Sequence, residues 1–206
     1  MSAALRLLPS AGYVTMPWKN GAGTTQEIAR APAAGSDFDW RLSLATVAAS
    51  GPFSVYAGYQ RAVALASGRG FTLTVGSAAP VRLAAPGEHL VFPGAAATRC
   101  DLTAEPCTDL SLMVREPGAV LGLERITLAA APVTLSLAAP LAALVCLAGR
   151  VRCRAPAGLA AGECLLAAFD TLLAEDAAAL EACALGPEAL VVLARWRLGG
   201  EASARA

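Results

Sequence analysis

The chain has 206 residues, 16 basic and 16 acidic side chains, six cysteines and a single histidine. That length supports a sizeable core in one large or two small domains, and the low charge excludes a disordered polymer. A formal net charge of zero removes the main driving term for nucleic-acid binding, and one histidine excludes any metal site built from two or three imidazoles.

The first residues, MSAALRLLPSAGY, contain no apolar run of signal-peptide length. Next comes Pro17-Trp18-Lys19-Asn20-Gly21-Ala22-Gly23-Thr24-Thr25. The basic residues are 15 Arg and one Lys, and the chain has one Asn. Lys19 and Asn20 are those two residues, side by side in a composition that has almost purged both types. Asn20-Gly21 is an ordinary tight-turn pair. Taken with Trp18, the cluster reads as a site. Lys supplies a compact cation, Asn a donor and an acceptor, Trp an apolar wall. Gly21 and Gly23 would let backbone N–H groups approach an anion. The glycine spacing is not that of a P-loop.

Residues 38–45 alternate at period two and predict a strand. Phe38, Trp40, Leu42 and Leu44 share one face; Arg41 and Ser43 share the other. If the polar face points into a barrel, Arg41 needs a partner: Glu27, Asp109 or a bound ligand. If it points outward, Arg41 is a solvated cation. Phe71, Leu73 and Val75 alternate likewise. Glu88 and His89 are adjacent, so in a strand they face opposite ways and chelate poorly together. Asp109 sits in an apolar strand and predicts a paired carboxylate. Trp40 and Met113 read as core.

The cysteines at 100, 107, 146, 153, 164 and 183 form no C-x-x-C pair. They read as small buried apolar residues in a reducing cytosol. Residues 126–149 carry no charge, long enough for a membrane helix. Pro132 and Pro140 interrupt that stretch, which favours a buried strand pair with a loop. Residues 167–185 permit helix or strand. Pro and Gly punctuate the remainder every 8–15 residues, as in all-β barrels and sandwiches.

The pattern also repeats. Gly68 to Gly149 and Ser111 to Val192 are each 81 positions apart; Leu83 to Leu159 is 76. Two related antiparallel β-modules are expected, residues 1–118 and 119–206, each with a mouth suited to a small ligand.

Five blocks in order resemble the HutD/Ves family: Trp18-Lys19-Asn20-Gly21 through Ile28; Asp39-Trp40-Arg41-Leu42-Ser43; Gly51-Pro52-Phe53-Ser54 through Gly58, with Arg61; Phe92-Pro93-Gly94; and Asp109-Leu110-Ser111-Leu112-Met113. They cover residues 16–115, and the C-terminal half matches only in general pattern. The resemblance implies an all-β bicupin, two cupin-like jelly rolls of the RmlC type in one chain. It also implies a non-catalytic regulator of histidine catabolism that binds an intermediate such as urocanate or formiminoglutamate. Two positions depart from the family: Ala95 where an acidic residue is usual, and Ser111 where Asn is usual.

The expected ligand-binding set is Trp18, Lys19, Asn20, Gly21, Thr24, Glu27, Arg41, Ser43, Ser54, Arg61 and Asp109, with Lys19, Arg41 and Arg61 meeting a carboxylate. No catalytic residue, cofactor or metal is expected. The expected partner is a small carboxylate, not nucleic acid or membrane, and homodimerisation stays open. Two alternatives remain: a metal-independent isomerase or lyase using Lys19 or Asp109 for proton transfer, and a homo-oligomeric assembly module with a vestigial pocket.

Overall fold

The computed structural model describes residues 3–18, 21, 23–35, 37–104, 106–155 and 162–199. Within them the chain is all-β apart from a 3-10 turn at Ser10–Gly12. The strands are β1 (Ala4–Leu8), β2 (Val14–Pro17), β3 (Gly23–Ala31), β4 (Trp40–Val47), β5 (Gly51–Phe53), β6 (Tyr59–Ser67), β7 (Phe71–Val75), β8 (Val81–Leu83), β9 (His89–Pro93), β10 (Thr98–Leu102) and β11 (Cys107–Arg115). They continue as β12 (Val120–Leu128), β13 (Val133–Ser136), β14 (Leu141–Ala148), β15 (Val151–Arg154), β16 (Glu163–Leu166), β17 (Thr171–Glu175), β18 (Ala179–Ala184) and β19 (Ala189–Arg197).

The chain folds as two units. One holds Tyr13–Leu121 with Leu198 and Gly199; the other holds Gly122–Arg197 and the described residues before Tyr13. The main division falls between Leu121 and Gly122. Strand β1 belongs to the second unit, where it pairs antiparallel with β17.

Strands β4–β11 recur in order as β12–β19. The first unit has sheets ordered β2-β3-β4-β11-β6-β9 and β5-β10-β7-β8. The second has β1-β17-β14-β19-β12 and β13-β18-β15-β16. Removing β1, β2 and β3 leaves two identical eight-strand diagrams, the doubled jelly roll of a bicupin. Each unit is built from two separate sheets, the expected cupin-like jelly roll. The repeat also corrects two equivalences: Ser111, opposite Val63, answers to Leu193, opposite Leu144, and not to Val192. Leu83 ends β8 opposite Phe71, and Leu166 ends β16 opposite Val151. Leu83 therefore answers to Leu166, not to Leu159, which lies outside the described residues.

Residues 167–185 form β17 and β18 rather than a helix. Residues 126–149 form the end of β12, then β13 and β14. Among the described residues no helix is long and apolar enough to cross a membrane.

Each unit fills its interior differently. In the second, Leu128, Leu144, Cys146, Val151, Leu172, Leu180, Val191 and Leu193 belong to one buried apolar cluster. In the first, Val47, Val63, Leu65, Phe71, Leu73, Leu83, Phe92, Cys100 and Cys107 form a smaller one. Following strands outward from that cluster, the inward positions turn polar. On β4, Val47 gives way to Ala45, Ser43 and Arg41; on β6, Leu65 and Val63 give way to Arg61; on β11, Cys107 gives way to Asp109 and Ser111. Alternation puts Leu42, Leu44, Ala62, Ala64, Leu110 and Leu112 on the other face, where they are also buried.

Candidate functional site

The polar end of the first unit opens into a cavity of about 460 Å³, a volume ordinary for a small-molecule site. Its lining includes Trp18, Thr25, Arg41, Ser43, Ser54, Tyr56, Arg61, Asp109 and Ser111, closed by Met16, Phe53 and Met113. Register explains the convergence. Met113 of β11 lies opposite both Arg41 of β4 and Arg61 of β6, and Ser111 lies opposite Ser43. Directly opposed residues share a face, so one face of three strands delivers all these groups to one space.

Arg61 is 6% exposed. Its guanidinium stands 5.6 Å from the Phe53 ring centroid, 5.4 Å from Tyr56 and 5.3 Å from Phe92. Nη1 donates to the Ser54 carbonyl at 3.1 Å. Arg41 lies 5.2 Å from Phe38 and 5.7 Å from Tyr56. Tyr56 thus sits against both cations, each contact contributing about 0.5–2 kcal/mol. Phe38 and Tyr59 stack at 4.7 Å, and the Tyr59 hydroxyl donates to the Phe38 carbonyl at 2.8 Å. Phe38 therefore stands with Arg41 on the cavity side. It lies before β4 begins, so the strand alternation expected for it does not apply.

Asp109 is 3% exposed. Burial pushes its carboxyl up to about 7, against the opposing pull of Arg61. Burial likewise lowers the Arg61 pKa, with Asp109 acting the other way. Among the described residues Asp109 accepts no hydrogen bond and closes no ion pair. Arg41 Nε, Arg61 Nε and Ser111 Oγ are buried without a hydrogen-bond partner there. The expected Arg41 partners, Glu27 and Asp109, do not pair with it; aromatic faces stand where a carboxylate was expected. Unmet buried donors of this kind are costly in a fold and suit an anion rich in acceptors.

The cavity thus gathers Trp18, Arg41, Ser43, Ser54, Arg61 and Asp109 from the expected set. Lys19 and Asn20 lie outside the described residues. Gly21 is exposed, and its N–H donates to the Trp18 carbonyl at 3.0 Å, so it closes a turn. Thr24 alternates away from Thr25. Glu27 is half-buried opposite Ser43 but does not line the cavity. Trp18 is held by its Nε1 donating to Thr25 Oγ1 at 2.8 Å.

Gly23 makes room for Trp18: a Cβ there would stand 2.2 Å from the Thr46 carbonyl oxygen and 3.1 Å from the indole. Gly23→Ala is expected to cost about 2 kcal/mol and to lower the Tm by about 5 °C in a thermal melt. An unchanged Tm would show that the hairpin has slack there.

Thr25, Phe53, Tyr56 and Ser111 also line the cavity and stand outside the expected set. The signal for the aromatic wall was present: three of the eleven aromatic side chains fall at 53, 56 and 59. Glu88 accepts from the backbone N–H groups of Ala84 and Ala85, and His89 Nδ1 lies 3.2 Å from the Gly87 carbonyl. Both serve their loop. Among the described residues no three His, Cys, Asp or Glu side chains gather as a metal site.

The second unit is an internal comparison. The register that sets Arg61 opposite Met113 and Val63 opposite Ser111 sets Ala142 opposite Arg195 and Leu144 opposite Leu193. Arg61, Ser111 and Asp109 therefore correspond to Ala142, Leu193 and Val191, all buried. The fold is built equally well with apolar residues at these positions.

The HutD family profile matches residues 10–192. An uncharacterized 21.2 kDa protein in the hutC 3′ region of Pseudomonas putida is 41% identical over 110 residues, 53% of this chain and 57% of that protein. Protein Ves of Citrobacter koseri is 34% identical over 99 residues, 48% of this chain and 51% of that one. The chain thus matches little more than half the length of these curated relatives. A conserved protein of unknown function from Pseudomonas aeruginosa PAO1 shares the structure at TM-score 0.83 and 31% identity, over 93% of this chain and 98% of its own. HutD from Pseudomonas fluorescens SBW25 does so at 0.74 and 27%, over 94% and 100%. Oxalate decarboxylase of Bacillus subtilis, at 8% identity and TM-score 0.67 over 91% and 76%, shares the cupin fold alone. With the family profile spanning both jelly rolls, this chain belongs to the HutD family.

Proposed function

We propose that the chain is a non-catalytic binding protein for a small organic carboxylate, held in the cavity of the first unit. The observation that carries this reading is the pair of guanidinium groups on buried Arg61 and half-buried Arg41, each with a buried, unpartnered Nε and neither ion-paired among the described residues. The second unit supports it: the same fold without Ala142, Val191 and Leu193 turned polar has a filled interior. Family membership and the hutC-region relative connect the ligand to histidine utilisation, so urocanate and formiminoglutamate are the ligands expected. The six cysteines form no disulfide among the described residues, which suits a reducing cytosol.

Thermal unfolding with urocanate, formiminoglutamate and glutamate tests the proposal. A ligand at about a hundred times its Kd stabilises by about 2.7 kcal/mol, a Tm rise of about 5–10 °C for a chain of this size. A flat response to all three, with folded protein, rejects the carboxylate reading.

One observation favours a second reading. Asp109, buried at the cavity wall with its carboxyl at about 7, has the poise of a general acid or base. Turnover of any of these compounds, lost in Asp109→Asn, would make the protein an isomerase or lyase.

A further inference from the structure

We propose that Asp109 fits the cavity to an anion by taking a proton from solvent as the ligand seats and donating that hydrogen to it. The inference rests on the carboxylate-binding reading and adds to it the residue that sets the ligand's charge class.

Arg41 Nε, Arg61 Nε and Ser111 Oγ have no partner among the described residues. All three can donate. Asp109 in its charged form is the exception, an acceptor facing the same space as two cations. Ser111 and Asp109 are two residues apart on one face of β11, which places their Cα atoms roughly 6–7 Å apart. A ligand carboxylate that reaches Ser111 and the guanidinium groups therefore meets the Asp109 carboxylate at short range. Two carboxylates at short range, one of them the buried Asp109, disfavour double ionisation, and the neutral acid removes the conflict. It also turns the one acceptor into a fourth donor.

The charged and titratable groups around Asp109 leave it as the site of protonation. Arg61 on β6 is the group whose charge acts on it directly. Arg41 on β4 is a second cation lining the same cavity. Cys100 on β10 feels Asp109, and burial raises its thiol to about 12, so it stays neutral. Cys107 lies two residues earlier on β11 in the apolar cluster, and Tyr56 lies against both guanidiniums. The carboxyl itself already stands at about 7, so an approaching anion moves it across neutrality. The proton enters from water, stays on the Asp109 carboxyl while the anion is bound, and returns to water as the anion leaves.

The test is calorimetric titration of the full chain with urocanate, formiminoglutamate and glutamate at pH 7.5, in MOPS and in Tris. The two buffers differ in ionisation enthalpy, so a buffer-dependent heat counts protons. The expected result is uptake of about half a proton or more per ligand, with a Kd that weakens roughly tenfold between pH 7 and 8.5. Asp109→Asn, which keeps a neutral donor, should bind with no proton uptake and no such pH dependence. Binding by the wild type with equal heats in both buffers overturns the role of Asp109 and leaves the carboxylate reading intact. Proton release on binding also overturns it, because it marks a ligand cation held by an ionised Asp109. No binding by any of the three overturns both.

Discussion

Arg61→Met is expected to abolish measurable urocanate binding, weakening the affinity about 100-fold or more, while leaving the Tm unchanged or raised. The two effects have one cause. Arg61 is 6% exposed, meets three aromatic rings and one carbonyl, and keeps Nε unpartnered. A ligand carboxylate would satisfy that donor with a charge-assisted bond, whose removal costs about 2–5 kcal/mol in binding. In the empty protein the same guanidinium is desolvated without an ion pair. Replacing such a buried cation by an apolar side chain of similar length is often neutral or stabilising. Methionine preserves contact with Phe53, Tyr56 and Phe92 through its flexible thioether. Calorimetry and a thermal melt on the same sample decide the matter. A large fall in Tm with binding retained would make Arg61 a structural cation of the fold rather than a ligand group.

That expected separation of binding from stability also explains how the sequence could be read. The doubled architecture was legible because two copies of one strand diagram keep nearly constant spacing, as Gly68 and Gly149 show. Spacing is a poor guide across alanine-rich runs. Leu83 resembles Leu159 in sequence because short apolar stretches look alike, whereas strand pairing sets Leu83 against Phe71 and Leu166 against Val151. Residues 167–185 were ambiguous for a related reason. In β17, Thr171, Leu172, Leu173 and Ala174 are all buried, so both faces of the strand are apolar and the period-two signal vanishes.

The site followed the same logic. Arg41 and Ser43 were legible because a polar residue on alternate positions of a strand must face either solvent or a polar interior. The alternation could not choose between them; register with β11 does. Tyr56 and Phe38 were not legible as partners of Arg41, because both lie outside strands, where no period assigns a face. Glu27 looked like a counter-ion because it is acidic and near in sequence. It stands opposite Ser43 on β4, yet it is not among the residues that line the cavity.

Asp109→Asn should make the protein more stable in alkaline solution and nearly neutral in acid, in the absence of any ligand. The carboxyl is 3% exposed and stands at about 7 when folded, against an ordinary aspartate near 4 when unfolded. Between those values the folded state holds a proton that the unfolded state has lost, so stability falls as pH rises through this window. Above the folded value the penalty is complete, and it amounts to about 4 kcal/mol. Asparagine has no such proton, and every other titrating group is common to both proteins, so the difference between them isolates position 109. Urea unfolding at pH 5 and pH 8 measures it. The gap should be about 1 kcal/mol at pH 5 and grow to about 4 kcal/mol at pH 8. A gap independent of pH would mean that Asp109 is as well solvated when folded as when unfolded. The cavity would then be open enough for water to screen both guanidinium groups, and the case for a dry anion site would fail with it.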